Sequence, residues 1–266
     1  MDKNKDVMDI GSFSVFFDIL GKLLNRCVFI REIRDPESFD ANQFKELYNK
    51  IIPFNLQISA EIILDFVGNN DSSDIVHHLF VCKRSNKVVG FIKIMICERL
   101  RYLFIAYLGI DNEDVYAKSI GVKKLLKRCV MKYSKKMKLN IISEISQIPS
   151  KDLAMRRLVR NYSKKFKRQS FSIDADYWQP AMPDTNCEVN EEEVLTLLYV
   201  PYLRLSNNII TKEELCAIIS SIYYDIYAPS CSILNGCDPK RYNNYLSEIL
   251  ESLKDSYEKV INLNPC

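Results

Sequence analysis

The chain has almost no histidine, no closely paired cysteines and no long uninterrupted apolar run, and each shortage removes a class of function. Only His77 and His78 are available as imidazole ligands. The nine cysteines include no Cys-x-x-Cys pair and no His-rich tract accompanies them, so neither a zinc site nor a disulfide framework is indicated. They read as reduced, mostly buried small apolar residues of a cytoplasmic protein, and no metal is expected. The apolar stretch from Phe13 to Leu24 is interrupted by Asp18 and Lys22 and is too short to span a bilayer. Asp2, Asp6 and Asp9, with no small-residue cleavage site after them, argue against a signal peptide. Charge of one sign is also scarce: 37 Lys and Arg against 34 Asp and Glu leave +3, too little to imply a polyanionic partner. No internal repeat or low-complexity linker is present.

What remains is an alternating chain of 266 residues with 47% hydrophobic content, enough for one substantial core and an appendage. Residues 1–26 carry Phe13, Phe16, Phe17, Leu20, Leu23 and Leu24 on one helical face. That predicts an amphipathic helix packed on the domain. Its polar face lacks the basic excess of a membrane helix. Val28 to Ile33 predicts a first strand, ended by Asp35-Pro36. Two helices follow, the first over Asp40 to Ile52 and the second capped by Ser59. Leu79 to Lys83 and Val88 to Ile94, joined by Ser85-Asn86-Lys87, predict a hairpin.

The most informative stretch runs from Arg101 to Lys138. Tyr102 to Ile110 is dense in β-formers and extends the hairpin into a three-stranded meander. After a polar connection, Val122, Leu125, Leu126, Cys129, Val130 and Tyr133 recur at helical spacing with lysines opposite. The pattern is strand, loop, helix, with Gly121 at the helix start. Unpaired N–H groups of a first helical turn point at whatever precedes them, and glycine leaves room for phosphate oxygens. Leu139 to Ile145 predicts a further strand, Asp152 to Phe166 a basic helix, Arg168 to Tyr177 a strand and Val194 to Val200 another.

The spacing Lys118-x-x-Gly121-x-Lys123-x-x-Leu126 resembles the acyl-CoA signature of the GNAT N-acyltransferases, R/Q-x-x-G-x-G/A-x-x-L. Lys118 stands where that signature has Arg or Gln, and Lys123 where it has Gly or Ala. The element order over residues 27–203 is also similar to the GNAT order, including two helices between the first and second strands. The resemblance implies an α/β fold with a mixed, mostly antiparallel sheet flanked by helices. It further implies an acetyl-CoA (or longer acyl-CoA) dependent N-acetyltransferase acting on a primary amine of a small molecule or peptide. Ala106, Tyr107, Leu108, Gly109 and Ile110, where the fourth strand splays from the fifth, would then pair with the pantetheine arm. Lys118, Ser119, Ile120, Gly121, Val122 and Lys123 would take the pyrophosphate. Lys124 and Lys127, a turn further on, either reach the nucleotide phosphate or form an ordinary solvated face.

The family often carries its general base as a Glu on the fourth strand, but this strand has none between Arg101 and Ile110. The nearest carboxylates are Glu98 on the previous strand and Glu144 on the fifth; Glu144 is the candidate base, its alternative being an ion pair with neighbouring lysines such as Lys138. Tyr162 is the candidate acid for the departing thiolate, its alternative a packed aromatic. Residues 53–57 and the 177–192 loop, with Phe54, Gln57, Tyr177, Trp178 and Gln179, would line the acceptor side. Two other readings are kept. Lys123 and the carboxylate-free fourth strand fit a GNAT-like binding module without catalysis, and the basic helices, with Tyr133 and Tyr162, fit nucleic-acid phosphates. No helix-turn-helix or RNA-binding signature accompanies them, so neither a nucleic-acid nor a membrane partner is expected.

Residues 204–266 fall outside that pattern. Thr211-x-x-Glu214 is a capping box, and Asp238-Pro239 opens a longer helix with Tyr242, Tyr245, Leu246, Ile249, Leu250, Leu253, Tyr257 and Val260 inward. This predicts a helical extension that covers the sheet or pairs two copies as a homodimer.

Overall fold

The computed structural model describes residues 28–52, 58–68, 75–114, 122–146, 169–180, 193–233 and 238–265. Strand β1 (Val28–Ile33) leads to α1 (Phe39–Ile51) and α2 (Ala60–Gly68). Then come β2 (Ile75–Arg84), β3 (Lys87–Cys97) and β4 (Tyr102–Ile110), followed by α3 (Val122–Met137) and β5 (Asn140–Ser146). Three strands follow: β6 (Phe171–Ile173), β7 (Tyr177–Gln179) and β8 (Glu193–Val200). The last part is β9 (Ile209–Thr211), α4 (Lys212–Ser221), a π-helical stretch (Ile222–Tyr227), α5 (Ala228–Ile233), α6 (Pro239–Ser256) and β10 (Val260–Pro265).

The starts of these elements are set by the expected local chemistry. Ser38 accepts the Ala41 amide to cap α1, and Ser59 accepts the Glu61 amide ahead of α2. Thr211 accepts the Glu214 amide at 3.2 Å, and Asp238 accepts that of Lys240 with Pro239 in the first turn. Ser85 takes the left-handed conformation the β2–β3 turn needs.

Ten strands form one sheet in the order β1-β2-β3-β4-β5-β8-β6-β10-β9, with β7 on β8. Every pairing is antiparallel except that of β4 with β5. Period-two alternation divides β2–β5 between two faces. One face carries Val89, Ile92, Ile94, Leu103, Ile105, Ile141 and Ile145 and packs on Val122, Leu126 and Val130 of α3. On the other, Leu79, Val81, Val88 and Phe91 meet α1 and α2 through Phe44, Tyr48, Ile63 and Leu64. Further along the same face Met95, Tyr102, Phe104 and Ile142 meet the helices of the C-terminal part through Ile219, Tyr223, Tyr227 and Leu246. This face therefore has two separate helical covers, and the gap between them is where the site forms.

Several expectations need correction. The strand predicted over Arg168 to Tyr177 is two short strands broken at Asp174–Asp176, which lets β6 pair both β8 and β10. The last helix stops at Ser256. Tyr257 is its cap, and Val260 is exposed at the start of a strand rather than inward on a helix. The C-terminal part is helical as predicted, and in addition supplies β9 and β10 to the sheet. Its apolar stripe, Tyr242, Leu246, Ile249, Leu250 and Leu253, is buried within the chain itself. Cys231 is disulfide-bonded, whereas Cys82, Cys97, Cys129 and Cys216 are free as expected. Pairing needs Cα atoms within about 7 Å of each other, a condition that tertiary structure sets and spacing in sequence does not. The predicted helices at 1–26 and 152–166 lie outside the described residues. Among the described residues no helix is long and apolar enough to cross a membrane.

Candidate active site

The gap on that sheet face is shaped by two irregularities in β4. Parallel pairing with β5 runs from Tyr102 with Asn140 to Ile105 with Ser143 and goes no further. Along its other edge β5 pairs β8 from Ile141 to Ser146, Glu144 standing opposite Leu197. The two parallel strands thus part at Ile105, leaving one backbone edge of 106–110 without a strand partner among the described residues. At the same level the β3–β4 register slips: Ile94 pairs Ile105, but Lys93 pairs Tyr107, leaving Ala106 as an extra residue. Such a bulge reverses the alternation after it. Phe104, Ala106 and Tyr107 consequently all line one cleft, while Leu108 and Ile110 turn to the α3 face.

The cleft is partly open to solvent and holds a cavity of about 40 Å³. Ile58, Ile63 and Phe66 wall one side, and Ile226, Tyr227 and Ser230 of the π-helical stretch and α5 wall the other. Sheet residues His77, Lys93, Met95, Phe104, Ala106, Tyr107 and Glu144 make its floor, and Gln179 closes one end.

Glu144 is the centre of its polar chemistry. It follows Ile142 on the cleft face of β5, and its carboxylate is held by two phenols rather than by a lysine. Tyr177 donates to Oε1, and Tyr227 donates to Oε2 at 2.9 Å and lies 3.1 Å from Oε1. Gln179 in turn donates to the Tyr227 oxygen at 2.9 Å. Burial raises the carboxyl pKa to about 7, against the two phenol hydrogen bonds that favour the charged form. A carboxylate so poised can exchange a proton near neutrality. Tyr177 and Tyr227 are raised well above 10, chiefly by burial and then by the charge of Glu144, so both remain neutral donors.

At the opposite side of the floor stands Lys93, which sequence reading passed over. It is 2% exposed, and its Nζ has no hydrogen-bond partner among the described residues. Burial drives its pKa well below 10.5. His77 beside it is lowered to about 2, by burial and then by the charges of Lys93 and His78, and it stacks on Phe66 at 4.8 Å. Tyr107 completes the wall: its oxygen accepts the Ile58 amide at 3.3 Å, and Tyr48 donates to the Ile58 carbonyl at 2.9 Å. The signal for Lys93 was available as a lone lysine inside the apolar run Val88 to Cys97. Tyr227 carried no such signal, because nothing in its sequence neighbourhood places it over β5.

The other candidates divide. Gly109 lies directly under Phe91, where a Cβ would stand 2.3 Å from the ring. Val122 is fully buried at the start of α3, and it fits because Gly90 has no side chain: a Cβ there would be 2.7 Å from Val122 Cγ1. The N-terminus of α3 is thereby held against the β3–β4 pair, with Lys123 in its first turn. Lys118, Ser119, Ile120, Gly121 and Tyr162, with Phe54 and Gln57, lie outside the described residues. Among the described residues, no group of three or more His, Cys, Asp and Glu side chains is placed to hold a metal ion.

No protein-family model matches the sequence, and no curated protein does. Solved structures give matches of low identity. A Bacteroides thetaiotaomicron protein described under the GNAT acetyltransferase family is 15% identical over 79% of this chain and 99% of its own, with a TM-score of 0.47. An N-acetyltransferase from Staphylococcus aureus is 14% identical over 66% and 97%, with a TM-score of 0.43. The ribosomal-protein-S18-alanine N-acetyltransferase of Escherichia coli is 11% identical over 68% and 97%, with a TM-score of 0.44. By the order and pairing of its own elements, from β1 through two helices and an antiparallel meander to the parallel β4–β5 pair, the chain has a GNAT-type fold.

Proposed function

We propose that the chain is an acyl-CoA-dependent N-acyltransferase, using acetyl-CoA and acting on a primary amine of a small molecule or peptide. One observation carries this reading: β4 leaves β5 at Ile105, and the first cleft-facing residue of β5 beyond that point is Glu144, with a carboxyl pKa of about 7. An open strand edge suits an extended pantetheine arm, whose amides need main-chain partners. The amide groups of 106–110 on that edge are the donors available to a thioester carbonyl. Glu144 takes a proton from the acceptor's ammonium, so that a neutral amine attacks. Tyr177 and Tyr227 hold the carboxylate in place and, being protonated, do not compete for that proton. The first turn of α3 and the connection before it, with Lys118, Gly121 and Lys123, is the proposed pyrophosphate site.

Calorimetric titration with acetyl-CoA and longer acyl-CoAs tests the reading without knowledge of the acceptor, and saturable binding is the expected outcome. Glu144→Gln keeps the volume and removes the titrating group. It is expected to lower turnover by roughly 10²- to 10⁴-fold with CoA affinity nearly unchanged, and to remove the acidic limb of the pH–rate profile. Full turnover in that variant would remove Glu144 from the mechanism. Tight CoA binding with no turnover toward any amine would leave a binding module.

A further inference from the structure

The cleft has a second polar pole that amine acylation by Glu144 does not use. Lys93 is all but fully buried, faces the cleft floor, and has no hydrogen-bond partner for its Nζ among the described residues. A buried amine left without a partner is costly, and structures retain one where a ligand completes it. None of the side chains lining the cleft beside it is placed as its partner: His77 from β2 is stacked on Phe66 from α2, Met95 is apolar, and Tyr107 from β4 accepts the Ile58 amide. Glu144 is two strands away across the parting of β4 and β5, at least about 10 Å between backbones.

We propose that Lys93 is the anion-binding end of the acceptor pocket and that the acceptor is an amino acid in the broad sense, its amine at Glu144 and its carboxylate at Lys93. Met95, Phe104 and Ala106 lie between the two poles and take the apolar body of the molecule. A single lysine with no other Lys or Arg among the described lining residues matches a monoanionic carboxylate better than a phosphate dianion. This deepens the acyltransferase reading and rests on it for the role of the amine, but Lys93 can be tested by itself. Because burial holds the lysine's pKa well below its ordinary value, docking a carboxylate favours the protonated amine.

The test is calorimetric titration of the full chain at pH 8, without CoA, using 6-aminohexanoate and 4-(aminomethyl)benzoate, each against its carboxamide. In the wild type at least one acid is expected to bind about tenfold or more tightly than its amide, the scale of one charge-assisted hydrogen bond. Its heat should vary with buffer ionisation enthalpy in the sense of proton uptake. In Lys93→Met the acid should lose its advantage and its proton uptake, with amide affinity unchanged. Equal affinity for every acid–amide pair in the wild type overturns the proposal, as does a preference that survives in Lys93→Met. If that variant does not fold, the wild-type ratio and proton uptake decide alone. A chain that binds acetyl-CoA but shows no acid preference loses this inference and keeps the acyltransferase reading. Acid preference at Lys93 with no acyl-CoA binding supports the pocket and removes that reading.

Discussion

Glu144 and Lys93 are each held against their ordinary ionisation, and both should be visible in stability as well as in activity. The folded-state pKa of Glu144, about 7, lies above that of an unfolded carboxyl. The native chain therefore binds more protons than the unfolded one between about pH 4.5 and 7. Stability from this group is present below that window and is lost as pH rises through it. Glu144→Gln should flatten the pH dependence and gain on the order of 3 kcal/mol relative to wild type at pH 8 compared with pH 4, read from urea midpoints. Lys93 has the opposite sign. Its pKa is depressed on folding, so the unfolded chain holds the extra proton and stability falls as pH drops below about 10.5. Lys93→Met should raise the denaturation midpoint at pH 7, with the gap closing toward pH 10. A midpoint lowered at pH 7 would mean that the amine is paired and charged in the native state.

Among the elements, β4 decides the site. A strand that stayed in register with β3 and paired β5 to its end would put Tyr107 on the α3 face and close the edge beside Glu144. The bulge at Ala106 and the parting at Ile105 prevent both. Gly109 keeps this stretch seated on Phe91, which packs edge-on to Phe44 with ring centroids 5.1 Å apart. Gly109→Ala drives a methyl group into that ring. It is expected to cost about 1–3 kcal/mol by chemical denaturation, the usual penalty for overpacking a core. Fluorescence or near-UV signals from the Phe44–Tyr48–Phe91–Tyr107 group should change with it. Unaltered stability would mean that Phe91 has room to move.

On the scale of the whole molecule, residues 204–266 are built into the sheet and complete the cleft. β10 joins β6 to β9, Tyr223 donates to the Trp178 carbonyl, Tyr257 donates to the Asp176 carbonyl, and Tyr227 holds Glu144. Removing 204–266 uncovers Met95, Tyr102, Phe104 and Ile142 and deprives Glu144 of one phenol. The truncated chain is expected to be insoluble or to bind a hydrophobic dye strongly. Tyr227→Phe in the full chain is the finer test: it should stay folded and raise the Glu144 pKa further, shifting the acidic limb of the rate profile to higher pH. A separable extension would instead leave a soluble, cooperatively unfolding core.

The sequence alone determined what local chemistry controls. Caps at Ser59, Thr211 and Asp238, the turn at Ser85, the three-stranded meander and the apolar stripe of α3 were legible because each depends on residues within a few positions of one another. The resemblance around Lys118 to Leu126 indicated the fold, and the absence of a carboxylate in β4 directed attention to Glu144. Tertiary structure decided the rest. The register slip at Ala106 arises from pairing with β3 and leaves no mark in the composition of β4. Glu144 found phenols instead of a lysine because β7 and the π-helical stretch, 33 and 83 residues further on, converge on β5. Lys93 was passed over in its apolar run, and its orphaned amine exists only because α2 and the C-terminal helices enclose the same face of the sheet. Sequence specifies which groups each element presents; long-range packing alone removes the water around them, and that removal turns an ordinary Glu and Lys into a poised pair.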